Sequence, residues 1–224
     1  VLTAVRQLLL LRGVVGTGGI QRGPAGPEFS QLFQRMAPQD VLEKHSAVGT
    51  FFLEGNNINE ESAKVVKRAV EMGCEIENHS RTHTAFPQLT AEEMTAEIDF
   101  TTEKIIDITG RAPKFFRPPY IALNDLMYST IPLTFICGKG CTDWEDSVSA
   151  EQRFDTTMAQ AQHGDVILLH DMEGNINTVK ALDRLIPALR EEGYELVTVE
   201  ELFEKCGAVP KSGVIYTNVL SDGK

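Results

Sequence analysis

The chain is poor in what several large classes of protein require. Its 224 residues include one tryptophan, and 21 basic residues stand against 32 acidic ones for a net charge of -11. So acidic a balance repels nucleic-acid phosphates and offers no basic patch to an anionic lipid surface, which removes nucleic acid as a partner. Membrane insertion is not expected either, because no stretch reaches the roughly 18 apolar residues of a span. The four cysteines, Cys74, Cys137, Cys141 and Cys206, contain no CxxC pair and no dense framework. They read as small buried hydrophobes, with the spacing of Cys137 and Cys141 leaving a disulfide or metal pair open. Leu8 to Leu11, closely flanked by Arg6 and Arg12, is too short for a signal peptide.

Residues 1–39 also lack something the rest has. They hold four arginines, no lysine and one acid, Glu28, for +3, whereas residues 40–224 hold the other 17 basic and 31 acidic residues, for -14. Six of the 18 glycines fall between Gly13 and Gly26. A break of this kind marks a linker, an arm or a foreign segment such as a shifted reading frame. Gly16-Thr17-Gly18-Gly19 has neither the dinucleotide fingerprint nor the Gly-Lys-Ser/Thr ending of a phosphate loop.

With 42% hydrophobic residues, the chain can fill one sizeable core. From Asp40 onward, apolar runs at 48–53, 74–77, 114–116, 133–137, 166–169 and 195–197 read as strands. Between them lie helices opened by Asn59, Thr90 with Glu93, Ser149 with Gln152, Asn177, and Thr198 with Glu201. Strand and helix in alternation imply parallel pairing through right-handed crossovers. The fold expected is α/β, a distorted, incomplete (β/α) barrel of about seven strands whose first strand is in doubt. Residues 40–207 form the domain, and 208–224 a tail in which Val214 to Tyr216 either adds a strand or lies loose.

His79, Arg117, Asp143 and His170 each follow a different strand, where a β/α barrel gathers its chemistry. His79 and His83 stand four apart, a spacing that brings two imidazoles to one point if the segment coils into a helical turn. Four stretches, His79-Ser80-Arg81-Thr82-His83, Arg117-Pro118-Pro119-Tyr120, Asp143-Trp144 and Leu168-Leu169-His170-Asp171, together resemble the second to fifth motifs of the polysaccharide deacetylases, carbohydrate esterase family four or the NodB homology domain.

The resemblance implies a hydrolase that removes acetyl groups from an acetylated oligo- or polysaccharide, secreted or in the cell envelope. It implies one divalent metal, zinc in the first place and cobalt or another transition metal as substitutes, with His79 and His83 as ligands. By the same likeness His170 is the general acid, Asp143 orients it, and Arg117 anchors a catalytic carboxylate. Tyr120 offers its backbone N–H to the oxyanion, Trp144 walls the groove, and Leu168 lines an acetate pocket. His45 and His163 match no motif.

The family's first motif, Thr-Phe-Asp-Asp-Gly-Pro, is missing. It carries the general base and a third metal ligand, yet Glu28 and Asp40 are the only acids in the first 40 residues. Glu28, Glu77, two residues before His79, and Glu54 are the substitutes to consider. An alternative of another class is a non-catalytic carbohydrate-binding relative.

Overall fold

A computed structural model describes residues 38–171 and 174–223, together with the backbone of residues 6–14. Eight strands form one sheet: β1 (Arg6–Val14), β2 (Thr50–Leu53), β3 (Glu75–Asn78), β4 (Phe115–Phe116), β5 (Thr134–Ile136), β6 (Asp165–Asp171), β7 (Tyr194–Val197) and β8 (Ile215–Tyr216). Their order is β6-β1-β2-β3-β4-β5-β8, with β7 also on β1, and every strand pair is parallel. Just past β5, the Lys139 amide donates to the Val166 carbonyl at 2.7 Å and the Lys139 carbonyl accepts from Leu168 at 3.0 Å. These bonds draw the segment after β5 against β6, in keeping with the distorted, incomplete barrel expected.

One strand differs from the sequence reading, and another settles an alternative that it leaves open. Residues 6–14, taken as part of a linker or arm, form the strand between β6 and β2, with Gly13 opposite His170 and Phe52. A four-leucine run suits a strand covered on both faces; its flanking arginines and the compositional break hid that fit. Of Val214 to Tyr216, the last two residues form β8 (Ile215–Tyr216), the strand alternative, which pairs with β5. Glu28 and the Gly16–Gly19 stretch lie outside the described residues.

Seven α-helices are described: α1 (Pro38–Lys44), α2 (Glu60–Glu71), α3 (Ala91–Thr109), α4 (Asp125–Thr130), α5 (Ala150–Gln160), α6 (Ile176–Glu191) and α7 (Val199–Cys206). The capping boxes read at Thr90, Ser149 and Thr198 all form, each side chain accepting from the third helical residue, which reaches back in turn. Helix α6 opens at Asn175 rather than Asn177. Alternation along β2 sorts the core: Phe51 and Leu53 join Val66, Ala69, Leu182 and Leu185 of the helices, while Phe52 joins Phe115, Ile136, Val166 and Val197.

Gly138, at φ +97°, lets the chain turn from β5 onto β6; a methyl group there would meet Leu168 Cβ and Val166 Cγ1 at 3.0 Å. Both the left-handed backbone and the close approach exclude a side chain. Gly138→Ala is therefore expected to destabilise the chain by about 2 kcal/mol or more. A denaturant midpoint equal to that of the native chain would contradict this.

Candidate active site

The C-terminal ends of β3, β4 and β6 and the loop after β5 deliver the candidate residues to one place. His79 leaves β3 with its amide donating to the Leu53 carbonyl at 2.9 Å, and Arg117 leaves β4 with its amide donating to Asn78 at 3.1 Å. The His79 and His83 rings meet at 4.9 Å between centroids, so the pairing read from their spacing is present. The helical turn is not. Ser80 (φ 69°) and His83 (φ 59°) are left-handed, and the Ser80 hydroxyl accepts from the His83 amide, so a tight loop makes the approach instead.

His79 is held by its Nδ1, 2.6 Å from the Arg117 carbonyl. That bond places the proton on Nδ1 and leaves the Nε2 lone pair toward the site. Burial, then the charge of Arg117, pushes His79 well below the ordinary imidazole value, and the same causes lower His83. Both rings are neutral near pH 7.

Asp143 and His170 form a second unit. His170 Nδ1 is 2.8 Å from Asp143 Oδ1, and its backbone N–H donates to Oδ2 at 2.6 Å. The Thr178 hydroxyl also donates to Oδ2, at 2.9 Å. Burial alone would raise the Asp143 carboxyl, but these bonds and the charge of His170 hold it below the usual carboxylate range. An ionised Asp143 fixes the proton on His170 Nδ1 and leaves Nε2 to exchange a proton with whatever occupies the groove.

Two aromatic rings flank the pair of units. Tyr120, 72% exposed and left-handed at φ 58°, stands edge-on to His83 at 4.6 Å; Trp144, 47% exposed, stands edge-on to His170 at 5.2 Å. Leu168 is buried, and a methyl group on Gly140 would touch both Leu168 and the Trp144 ring, so leucine and tryptophan bound the same space.

Sequence reasoning missed the residues that support this half. Arg153 is 1% exposed and spends its guanidinium on neutral acceptors: the carbonyls of Val148 (2.9 Å) and Glu145 (2.8 Å), Thr178 Oγ1 (2.8 Å) and Asn175 Oδ1. Asn175 in turn donates to the carbonyls of Asp143 and His170 at 2.9 and 3.1 Å. Only the position of Asn175 just ahead of an apolar helix pattern hinted at any of this.

In the other half, no described acid completes a metal-binding group. Among the described residues, no three His, Cys, Asp or Glu side chains are grouped to hold a metal ion. Glu77, on the face of β3 it shares with His79, accepts instead from the Lys114 and Phe115 amides at 2.7 and 2.6 Å, toward the opposite end of the strand pair. That engagement removes it as a third ligand. Glu54 is buried but does not complete such a group, and Asp40 pairs with Arg68 at 2.7 Å on the α1 surface. Arg117 Nη2 lies 3.5 Å from His79 Nε2, the nitrogen a metal would need. Among the described residues, two neutral imidazoles beside a guanidinium are by themselves a poor fit to a divalent cation.

An oriented Asp–His pair, two further histidines and flanking aromatics thus gather at the strand ends of a distorted β/α barrel. The family model for polysaccharide deacetylase matches residues 29–132. Among solved structures, the Xyl-CE4 domain of a multidomain xylanase from the hindgut metagenome of Trinervitermes trinervoides superposes with a TM-score of 0.84 at 37% identity, covering 96% of this chain and 98% of that one. A family 4 acetyl xylan esterase from Clostridium thermocellum, solved with a cobalt ion, gives 0.82 at 31% identity over 95% and 99%. The bifunctional xylanase/deacetylase of Pseudobutyrivibrio xylanivorans is 47% identical over 171 residues, 76% of this chain and 28% of its own length. The peptidoglycan-N-acetylglucosamine deacetylase of Bacillus cereus is 34% identical over 74% of this chain and 62% of its own length, so the chain spans only part of these curated relatives. This chain belongs to the polysaccharide deacetylase family, carbohydrate esterase family 4.

Proposed function

We propose that the chain is a carbohydrate deacetylase by descent that takes O-acetylated xylan in the groove between Tyr120 and Trp144 and releases acetate slowly. The observation that carries this reading is the Asp143–His170 pair at 2.8 Å beside an exposed Trp144. His170, once it has taken up a proton on Nε2, would pass it to the departing sugar oxygen, with Asp143 holding the Nδ1–H and stabilising the imidazolium in between. Xylan is favoured over peptidoglycan because three of the relatives most similar in sequence or structure carry xylan in their names. Turnover is slow in this reading because no described carboxylate stands where one would activate water, a contribution worth about 10²- to 10⁴-fold.

The purified chain is expected to be retained on insoluble acetylated xylan and to release acetate at least ~10²-fold more slowly than a family member with both acids, zinc or cobalt being supplied to each. Trp144→Ala should weaken retention about fivefold, the weight of roughly 1 kcal/mol of aromatic contact. Retention without any acetate release favours the non-catalytic binding relative. A chain that neither binds nor cleaves the polymer contradicts both, and release at the full family rate contradicts the slow-turnover reading.

A further inference from the structure

Helix α6 starts in a way that forgoes an ordinary source of helix stability. An asparagine at the N-cap usually turns its side-chain oxygen to the first free amides of the helix. Asn175 makes no such bond. Its Oδ1 accepts from Arg153 Nη1, and its Nδ2 donates to the Asp143 and His170 carbonyls at 2.9 and 3.1 Å. In the same first turn, Thr178 is wholly buried and its hydroxyl has no choice of direction. Arg153 Nη1 donates to Thr178 Oγ1 at 2.8 Å, and a guanidinium cannot accept a hydrogen bond in return. The single hydroxyl proton therefore goes to Asp143 Oδ2, 2.9 Å away. His170 gives that carboxylate two further bonds, from its backbone N–H to Oδ2 at 2.6 Å and between Nδ1 and Oδ1 at 2.8 Å. Those two come from the residue being oriented, whereas the Thr178 bond ties the carboxylate to a separate helix.

We infer that Thr178 and Asn175 are positioning residues for proton transfer by His170. Thr178 fixes the rotation of the Asp143 carboxylate so that Oδ1 faces the His170 ring, and Asn175 holds the two backbone segments at the spacing this rotation needs. Both act through the Asp143–His170 pair. The inference rests on the reading of His170 as the acid of acetate release, and its test includes a signal that needs no turnover.

That signal is the His170 Nδ1–H proton, seen by magnetic resonance in the full chain labelled with nitrogen-15 at its five histidines and identified by its loss in His170→Gln. A ring proton held by an ionised carboxylate sits in a strong bond, read as a downfield shift and slow exchange with water. Thr178→Val keeps the shape and removes the hydroxyl; it is expected to move the signal upfield and to speed its exchange about tenfold, the weight of one hydrogen bond. Thr178→Ser, which keeps the hydroxyl, should return the native signal. Asn175→Asp leaves Arg153 an acceptor and can cap α6, yet it turns an oxygen toward the Asp143 and His170 carbonyls. It should melt near the native chain while its Nδ1–H exchanges faster. On acetylated xylan with zinc or cobalt supplied, Thr178→Val should lower kcat about tenfold with KM unchanged, inside the hundredfold that a misplacement of about 1 Å costs. A Thr178→Val chain with native shift and exchange overturns the inference, and so does a serine variant that behaves like the valine one. If Thr178→Val does not fold, native exchange in Asn175→Asp overturns it. Absence of acetate release in every form, the native chain included, sinks the hydrolase reading, while the proton signal still decides the positioning.

Discussion

Arg153→Met is expected to cost about 3–5 kcal/mol and to lower the melting temperature by roughly 6–20 °C, the largest effect of any single side chain away from the groove. The guanidinium is almost wholly buried and saturates the Val148 and Glu145 carbonyls, Asn175 Oδ1 and Thr178 Oγ1. Methionine fills much of the space but donates nothing, so buried acceptors are left unmatched at about 1–3 kcal/mol each, reduced by local relaxation. The consequence reaches the site. Glu145 and Val148 lie in the same loop, directly after Asp143 and Trp144, and Asn175 ties the Asp143 and His170 carbonyls together. Trp144 is the only tryptophan and sits edge-on to His170, so its fluorescence reports this loop directly. In Arg153→Met the emission should change at temperatures below global unfolding. A variant that melts within a degree of the native chain, with unchanged Trp144 emission, would show that the network supports nothing.

That network also marks what a sequence does and does not make legible. The strands from Thr50 onward lie within a residue or two of their apolar runs, because burial on both faces leaves continuous hydrophobic stretches bounded by turn residues. The capping boxes were readable because cap and partner are three residues apart. Arg153, Asn175 and Thr178 were not, because their bonds span separations of 22 and 25 residues and 35 from Thr178 to Asp143, with no local pattern to announce them. His79 and His83 were correctly paired but through the wrong backbone, since left-handed Ser80 and His83 carry no sequence signal of the kind glycine gives. Glu77 shows the same limit. Alternation placed it on the face of His79, yet which end of the strand its carboxylate serves depends on the Lys114 and Phe115 amides of the neighbouring chain segment.

Glu77 leads to the second large effect, on the dependence of stability on pH. Burial, then the charge of Glu75, pushes the Glu77 carboxyl up to about 9, and burial first pushes Glu75 up to about 7, both from 4.5. The groups facing them are the Thr50 hydroxyl, which donates to Glu75 at 2.6 Å, the Val199 and Glu200 amides at the start of α7, and Glu200, itself paired with Lys114 and Arg111. A raised acid binds its proton more tightly in the folded chain than in the unfolded one. The stability it contributes is therefore complete below pH 4.5 and is lost as pH rises through about 7 and then about 9. The native melting temperature should fall steadily from pH 6 to pH 9. Glu77→Gln keeps an oxygen for the Lys114 and Phe115 amides, carries no charge at any of these pH values, and turns an amide toward Glu75, whose Oε1 is buried without a partner. Each unit of separation is worth about 1.4 kcal/mol, and each kcal/mol about 2–4 °C at this chain length. The variant should accordingly melt at least roughly 5 °C above the native chain at pH 9 and close to it at pH 5. Parallel slopes for the two proteins across that range would mean that Glu77 is already ionised when folded, and that the base of the sheet tolerates its charge.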